Sequence, residues 1–222
     1  MVLVGYWPLD EESGNTAYDV RGNNNGNVSG AIQGETGVVG GSSYHVNGDD
    51  GKLVDCGVLA EVHGSDSLSL SVWTKFESIS SGFNSSIATH RDNDNGWGFT
   101  HNNGNEIRFR MENGATHAST NPATLSTGNW YHIAGVFNRD RSRLWIDGKL
   151  AAEPNQINNI SVPSIDVPFK IGNNEYTNSG SRYIPLNACE IRVYDHALTP
   201  QEVQYLYQVG KRGLHTSDSR TL

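Results

Sequence analysis

The segment Asn129 to Glu153, NWYHIAGVFNRDRSRLWIDGKLAAE, constrains the fold more than any other part of the chain. Tyr131, Ile133, Gly135 and Phe137 alternate with Trp130, His132, Ala134 and Val136, the two-residue period of a pleated strand whose side chains point to opposite faces. Leu144 and Ile146 then lead into Asp147-Gly148, a dipeptide that tolerates the positive φ of a tight hairpin turn. Strand, turn, strand and turn in such close succession build antiparallel sheet.

The same period recurs elsewhere. In SLSLSVWTKF, residues 67 to 76, Leu68, Leu70, Val72, Thr74 and Phe76 alternate with Ser67, Ser69, Ser71, Trp73 and Lys75. EIRFRME separates Ile107, Phe109 and Met111 from Glu106, Arg108, Arg110 and Glu112, and ACEIRVYD alternates Cys189, Ile191 and Val193 with Glu190, Arg192 and Tyr194. With 25 Gly and only 18% charged residues, the chain is turn-dense. One helix is expected near the end, in LTPQEVQYLYQVGKRG. Thr199 can cap it, Pro200 takes the first helical position, Glu202 completes a capping box, Val203, Leu206 and Tyr207 form an apolar stripe, and Gly210 is the expected stop. At 222 residues the chain suits one domain over residues 1–210, with a polar tail at 211–222.

Composition excludes several functions. A net charge of -8 offers no basic face to displace phosphate counterions, so no nucleic-acid partner is expected. No apolar run approaches the length of a membrane span, so no membrane insertion is expected either. Met1 to Gly5 runs almost directly into the first strand and is too short for a signal peptide. Cys56 and Cys189 both fall at strand positions. They fit a pair of buried free thiols, or a disulfide if their strands are neighbours in an oxidising compartment.

Catalytic residues are expected to be none. Glu106 and Glu112 share a strand face but lie roughly 20 Å apart at about 3.3 Å per residue, beyond the ~5 to 9.5 Å used in glycoside cleavage. No nucleophile elbow, zinc-protease helix, Cys-x-x-Cys pair or phosphate-cradling glycine loop is present. His132, inside a strand, reads as a structural histidine.

Several segments resemble laminin-G-like jelly-roll modules of the concanavalin A-like lectin/glucanase superfamily. They are the Trp-containing first strand with its loop, GYWPLDEESGNTAYDVRGNNNGNVSG; the hairpin YHVNGDDGKLVDCG; the W-I-D-G-K turn; and the last strand with its helix, ACEIRVYD followed by LTPQEV. The resemblance spans about residues 5 to 210. It implies an all-β jelly-roll β-sandwich of two antiparallel sheets with a short C-terminal helix.

Two candidate sites follow. The loop and strand HRDNDNGWGF supplies Asp92, Asp94 and Trp97, and the polar face of EIRFRME supplies Arg108 and Arg110. Carboxylates and forked guanidinium donors suit hydroxyls, and an exposed indole can stack on a sugar ring. In lectin-like relatives such faces and rim loops bind sugars, so these five residues are the candidate glycan-binding set. The resemblance also implies a structural Ca²⁺ at Asp19, Asn24 and Glu190, where Arg21 departs from the usual small residue.

The expected function is a non-enzymatic recognition module at an extracellular or virion/particle surface, with a carbohydrate or glycoprotein partner. The alternative is a structural or decoration protein of a virion or similar assembly, in which the jelly roll contacts a homo-oligomer or particle neighbours. A carbohydrate-active enzyme is a second alternative, opposed by the missing acid pair.

Overall fold

A computed structural model describes residues 2–38, 41–47, 52–77, 85–92, 94–102, 105–139, 141–154, 159–172 and 184–213. The last nine positions of the expected tail, 214–222, therefore lie outside the described residues. In chain order the first strands are β1 (Leu3–Trp7), β2 (Thr16–Ala17), β3 (Gly26–Ser29), β4 (Ile32–Thr36), β5 (Ser42–Val46), β6 (Leu53–Asp55), β7 (Ser67–Phe76), β8 (Ser85–Asp92) and β9 (Asn95–Asn102). Then come β10 (Glu106–Asn113), β11 (Thr116–His117), β12 (Ala123–Thr124), β13 (Trp130–Asn138), β14 (Arg141–Ile146), β15 (Lys149–Ala152), β16 (Lys170–Ile171), β17 (Leu186–Tyr194) and helix α1 (Pro200–Lys211).

These strands form two antiparallel sheets. The first is 8-stranded, in the order β15-β14-β13-β7-β17-β5-β4, with β1 added on β17; the second is 9-stranded, in the order β11-β10-β9-β8-β16-β6-β3-β2, with β12 on β10. Each sheet turns one apolar face inward, as alternation requires, and the two faces meet in one core. Leu68, Leu70, Val72, Ile133, Phe137, Ile191 and Val193 come from the first sheet, and Ile87, Trp97, Phe99, Phe109 and Met111 from the second. The hairpin read from sequence is present, with Ile133 opposite Ile146 and Phe137 opposite Ser142.

The outer face of the first sheet is also covered. Helix α1 lays Val203 and Leu206 against Ala134, Val136 and Tyr194. Its start is the expected capping box: the Glu202 amide donates to Thr199 Oγ1 at 3.3 Å, and the Thr199 amide donates to Glu202 Oε2 at 2.7 Å. Its end differs from the expectation. Gly210 lies inside the helix, where a Cβ would sit 2.1 Å from Trp73 Nε1, so the missing side chain lets the helix close onto the sheet. Gly213, at φ +64, takes the left-handed position after the helix instead.

A second difference lies in β17. Simple alternation places Cys189 with Ile191 and Val193, but Glu190 adopts φ +57 and the register against β7 shifts between Cys189 and Arg192. This bulge turns Cys189 outward to pack on Val38 and Trp73, while Ile191 and Val193 stay in the core. Cys56 belongs to the inner core, so the two thiols occupy different layers, and both are free and buried. Burial pushes the Cys189 thiol up to about 12 and the Cys56 thiol well above the ordinary range.

Two buried histidines give the fold an acid limit. His132 sits beneath the helix, with Nε2 2.8 Å from Ser71 Oγ and its ring against Trp73 and Tyr207. Burial, reinforced by the charge of Arg192, lowers its pKa to about 3. His90 stacks on Trp97 in the core, and burial lowers its pKa to about 4. In the unfolded chain both return to about 6.5, so below that pH the unfolded state binds more protons and stability rises with pH. Urea midpoints are expected to hold steady above about pH 6.5 and to fall as the pH drops from about 6.5 toward 4. A flat profile over that window would mean that these rings accept protons without leaving the fold.

Candidate functional site

The outer face of the second sheet carries Arg108 and Arg110, the arginines read from sequence, and Arg110 is bonded within the sheet. Strands β8, β9 and β10 run side by side, with Arg91 opposite Gly96 and Gly96 opposite Glu112. Because Gly96 has no side chain, Arg91 reaches over β9 and pairs with Glu112 through Nη2 and Oε2. Arg110 Nη1 lies 2.6 Å from the other oxygen of Glu112, and its Nε donates to Thr100 Oγ1 at 2.9 Å. His117 adds a fourth member, with Nδ1 3.5 Å from Glu112 Oε1. Arg91 and Glu112 are each only 5% exposed at the side chain, so this cluster braces the sheet.

The five candidate glycan residues therefore do not form one site. Trp97 is fully buried, stacked on His90 and Phe169 with ring centroids 5.3 Å and 5.4 Å away. The expectation of an exposed indole is corrected: strand parity places Trp97 beside Phe99 on the core face, opposite Met111. Asp92 and Asp94 are exposed at the β8–β9 turn. Arg108 is half-buried opposite Thr100, five positions along β10 from Asn113, which is roughly 16 Å from the level of that turn. Of the two strand carboxylates Glu106 and Glu112, the latter is bound to Arg91 and Arg110.

Of the residues implied for calcium, Asp19 and Glu190 are bound within the chain. Asp19 Oδ1 accepts from the amides of Tyr6 at 2.9 Å and Arg21 at 3.0 Å, and Oδ2 accepts from the amide of Asn24 at 3.2 Å. The Asn24 carbonyl accepts from the Trp7 indole at 2.8 Å. Glu190 is tied instead to the Tyr6 hydroxyl and to Arg192. A hard cation takes six to eight oxygens, whereas here the Asp19 carboxylate faces amide donors and the Glu190 carboxylate faces a guanidinium, so these two carboxylates as placed do not fit calcium. Asp19 holds the first loop by capping its amides, as Asp does in a turn. Among the described residues no three His, Cys, Asp or Glu side chains are grouped to hold a metal ion. Chelation of divalent cations is expected to leave the Tm unchanged. A Tm that falls with chelator and recovers with Ca²⁺ would contradict this geometry.

A different group converges at one end of the sandwich. The β10–β11 turn brings Asn113 opposite Thr116, and the Gly114 amide donates to Asn95 Oδ1 at 2.8 Å, joining that turn to the β8–β9 turn with Asp92 and Asp94. At the adjoining β13–β14 turn, Arg139 Nε donates to Asn159 Oδ1 at 2.7 Å and its Nη1 donates to Asp66 Oδ2 at 2.9 Å. Asn113, Thr116, Arg139, Asn159, Ile160 and Ser161 line a cleft of about 300 Å³. Its walls carry amides, hydroxyls and a guanidinium, which donate and accept at close spacing. Sequence reading missed this cleft because its residues come from three separated segments that meet only through the topology.

The fold and the comparisons define the class of protein. Residues 47–204 match the laminin-G family model described as Concanavalin A-like lectin/glucanases superfamily, and the chain belongs to that family. A search of curated proteins returned no match. Among solved structures, the binding domain of Paraclostridial Mosquitocidal Protein 1 is similar at 16% identity and a TM-score of 0.75, covering 92% of this chain and 51% of that one. The botulinum neurotoxin serotype G binding domain is similar at 15% identity and a TM-score of 0.71, covering 94% of this chain and 51% of its own. Trypanosoma rangeli sialidase in complex with sialic acid is similar at 15% identity and a TM-score of 0.67, covering 92% of this chain and 32% of the sialidase. The chain thus spans about half or less of the length of these structures. At such identities the likeness is one of fold.

Proposed function

We propose that this domain is a non-enzymatic recognition module that binds a glycan or glycoconjugate in the rim cleft, at an extracellular or particle surface. One observation carries the reading: amide, hydroxyl and guanidinium groups from three turns and loops line a single concave site of about 300 Å³. Neighbouring hydroxyls of a sugar each donate and accept, and a lining of this kind can satisfy them in pairs. Two of the similar structures are themselves binding domains, which supports a binding role for this architecture. Glu112 is held by two arginines, and no second acid pairs with it for glycoside cleavage among the described residues.

A glycan array tests the reading. Wild-type protein is expected to bind a restricted set of glycans. Asn159→Ala and Thr116→Ala, both at exposed positions, should weaken that binding at least about tenfold without loss of fold. Arg108→Ala on the sheet face should leave it unchanged. A blank array on folded protein, or binding lost with Arg108→Ala and kept with Asn159→Ala, would overturn the assignment.

A further inference from the structure

We propose that acid opens the rim cleft, because the strap that carries Asn159, Ile160 and Ser161 is laid over a buried pair of histidines, His63 and His90. The strap is residues 159–168. Its consequence for a ligand rests on the rim cleft as the binding site.

Three attachments hold the strap. The Gly64 amide donates to the Val162 carbonyl at 2.9 Å, and the Val162 amide donates to the Ser65 carbonyl at 2.9 Å, which pairs the strap with the turn before β7. The third is a side chain: His90 Nε2 donates to the Ile165 carbonyl at 3.2 Å. A carbonyl only accepts, so Nε2 carries the proton and Nδ1 presents a bare lone pair. That Nδ1 is buried without a partner, and so is His63 Nε2. The two rings stand edge to face with centroids 5.7 Å apart.

Nothing around His90 welcomes a positive charge. Its ring stacks on Trp97, which stacks in turn on Phe169. Arg91, the next residue of β8, is bound to Glu112 on the opposite face of the sheet, and Lys170 pairs with Thr89 rather than with His90. Glu61, Asp92 and Asp166 are exposed, and Asp66 is bound to Arg139. Among the described residues His63 is the one titratable group whose charge acts on His90, and it opposes protonation. A proton on Nδ1 therefore creates a donor with no acceptor, and the imidazolium must reach water. The strap is the thin wall: Ser164 and Asp166, on either side of Ile165, are exposed. Lifting it breaks the Ile165 attachment, and Asn159 and Ser161 move with it, so the cleft lining scatters.

The direction with pH follows from burial. With the strap closed, desolvation holds the His90 pKa at about 4, whereas a ring in water has about 6.5. Proton uptake therefore favours the open strap as the pH falls below about 6.5, and opening at pH 5 should be about tenfold or more commoner than at pH 7.

Amide hydrogen exchange on the protein alone tests this, at pH 7 and pH 5 after correction for intrinsic rates. The Gly64 and Val162 amides are expected to lose protection about tenfold or more at pH 5, through an opening that low urea does not accelerate. Amides of the β7–β13 ladder should exchange only through urea-sensitive unfolding. His90→Gln keeps a donor for the Ile165 carbonyl and takes up no proton, so the acid response of the strap should vanish. Equal strap protection at the two pH values, strap exchange as urea-sensitive as that of the ladder, or an acid response that survives His90→Gln overturns the proposal. The urea comparison in the wild-type protein decides if His90→Gln does not fold. No ligand enters the measurement, so its failure is distinct from a blank glycan array.

Discussion

Replacing Glu190 with alanine is expected to destabilise the domain by about 3–5 kcal/mol, the loss typical of removing one partner from a buried ion pair. Glu190 is 2% exposed and Arg192 is 3% exposed. Glu190 Oε2 lies 2.5 Å from Arg192 Nη2, and its carboxylate also accepts from the Tyr6 hydroxyl at 2.9 and 3.0 Å. The guanidinium carbon lies 3.9 Å from the centroid of the Tyr6 ring. Without the carboxylate, Arg192 keeps its charge in a site that excludes water, and the Tyr6 hydroxyl loses its acceptor. The backbone permits a control. Because Glu190 holds φ +57, Glu190→Gly removes the same carboxylate while relieving the left-handed strain, so it should be less destabilising than Glu190→Ala. Denaturant unfolding measures both, and losses below about 1 kcal/mol in the two variants would mean that the pair is not buried as described.

Gly96→Ala is expected to have the second large effect, a loss of about 3 kcal/mol, at the upper end for a strained backbone position. Gly96 has φ +120, and an added Cβ would lie 2.1 Å from the His90 carbonyl oxygen and 2.6 Å from Arg91 Cα. Neither atom can move without breaking the β8–β9 ladder. The added carbon would also enter the gap through which Arg91 reaches Glu112, so the ion-pair cluster on this face should loosen with it. Gly114→Ala is the comparison. Gly114 also has positive φ, +60, but among the described residues nothing lies within 4 Å of its Cβ position, so only the backbone preference is lost, about 1–2 kcal/mol. Equal losses at the two sites would show that the close approach of β8 contributes nothing.

The fold was legible because its signals are local. Alternation in β7, β10 and β13, the Asp147-Gly148 turn and the Thr199–Glu202 capping box each depend on residues close in sequence, and each is present. What could not be read depends on partners distant in the chain. The bulge at Glu190 breaks the parity of β17 and sends Cys189 to the far side of the sheet, and ACEIRVYD carries no glycine to announce it. Gly210 looked like a helix stop because its role is set by Trp73, more than a hundred residues earlier. Trp97 looked available to a ligand because it sits among turn residues. Its pairing opposite Met111, which puts it in the core, appears only once β9 is registered against β10.

The candidate site divides along the same line. Asp92 and Asp94 fall at a hairpin turn that is visible in the sequence, and the Asn95 bond to Gly114 sets that turn beside the cleft. Asn113, Thr116, Arg139, Asn159 and Ser161 converge only through three-dimensional topology, which no single segment encodes. Arg108 and Arg110 have the chemistry of a ligand site, but Arg110 spends its donors on Glu112 and Thr100.

The most direct test of the account is the structure of the protein bound to the best oligosaccharide from the array. Sugar hydroxyls are expected within hydrogen-bonding distance of Asn113, Thr116 and Asn159. A ligand seated on the β8–β10 face against Arg108, with the rim cleft empty, would contradict it.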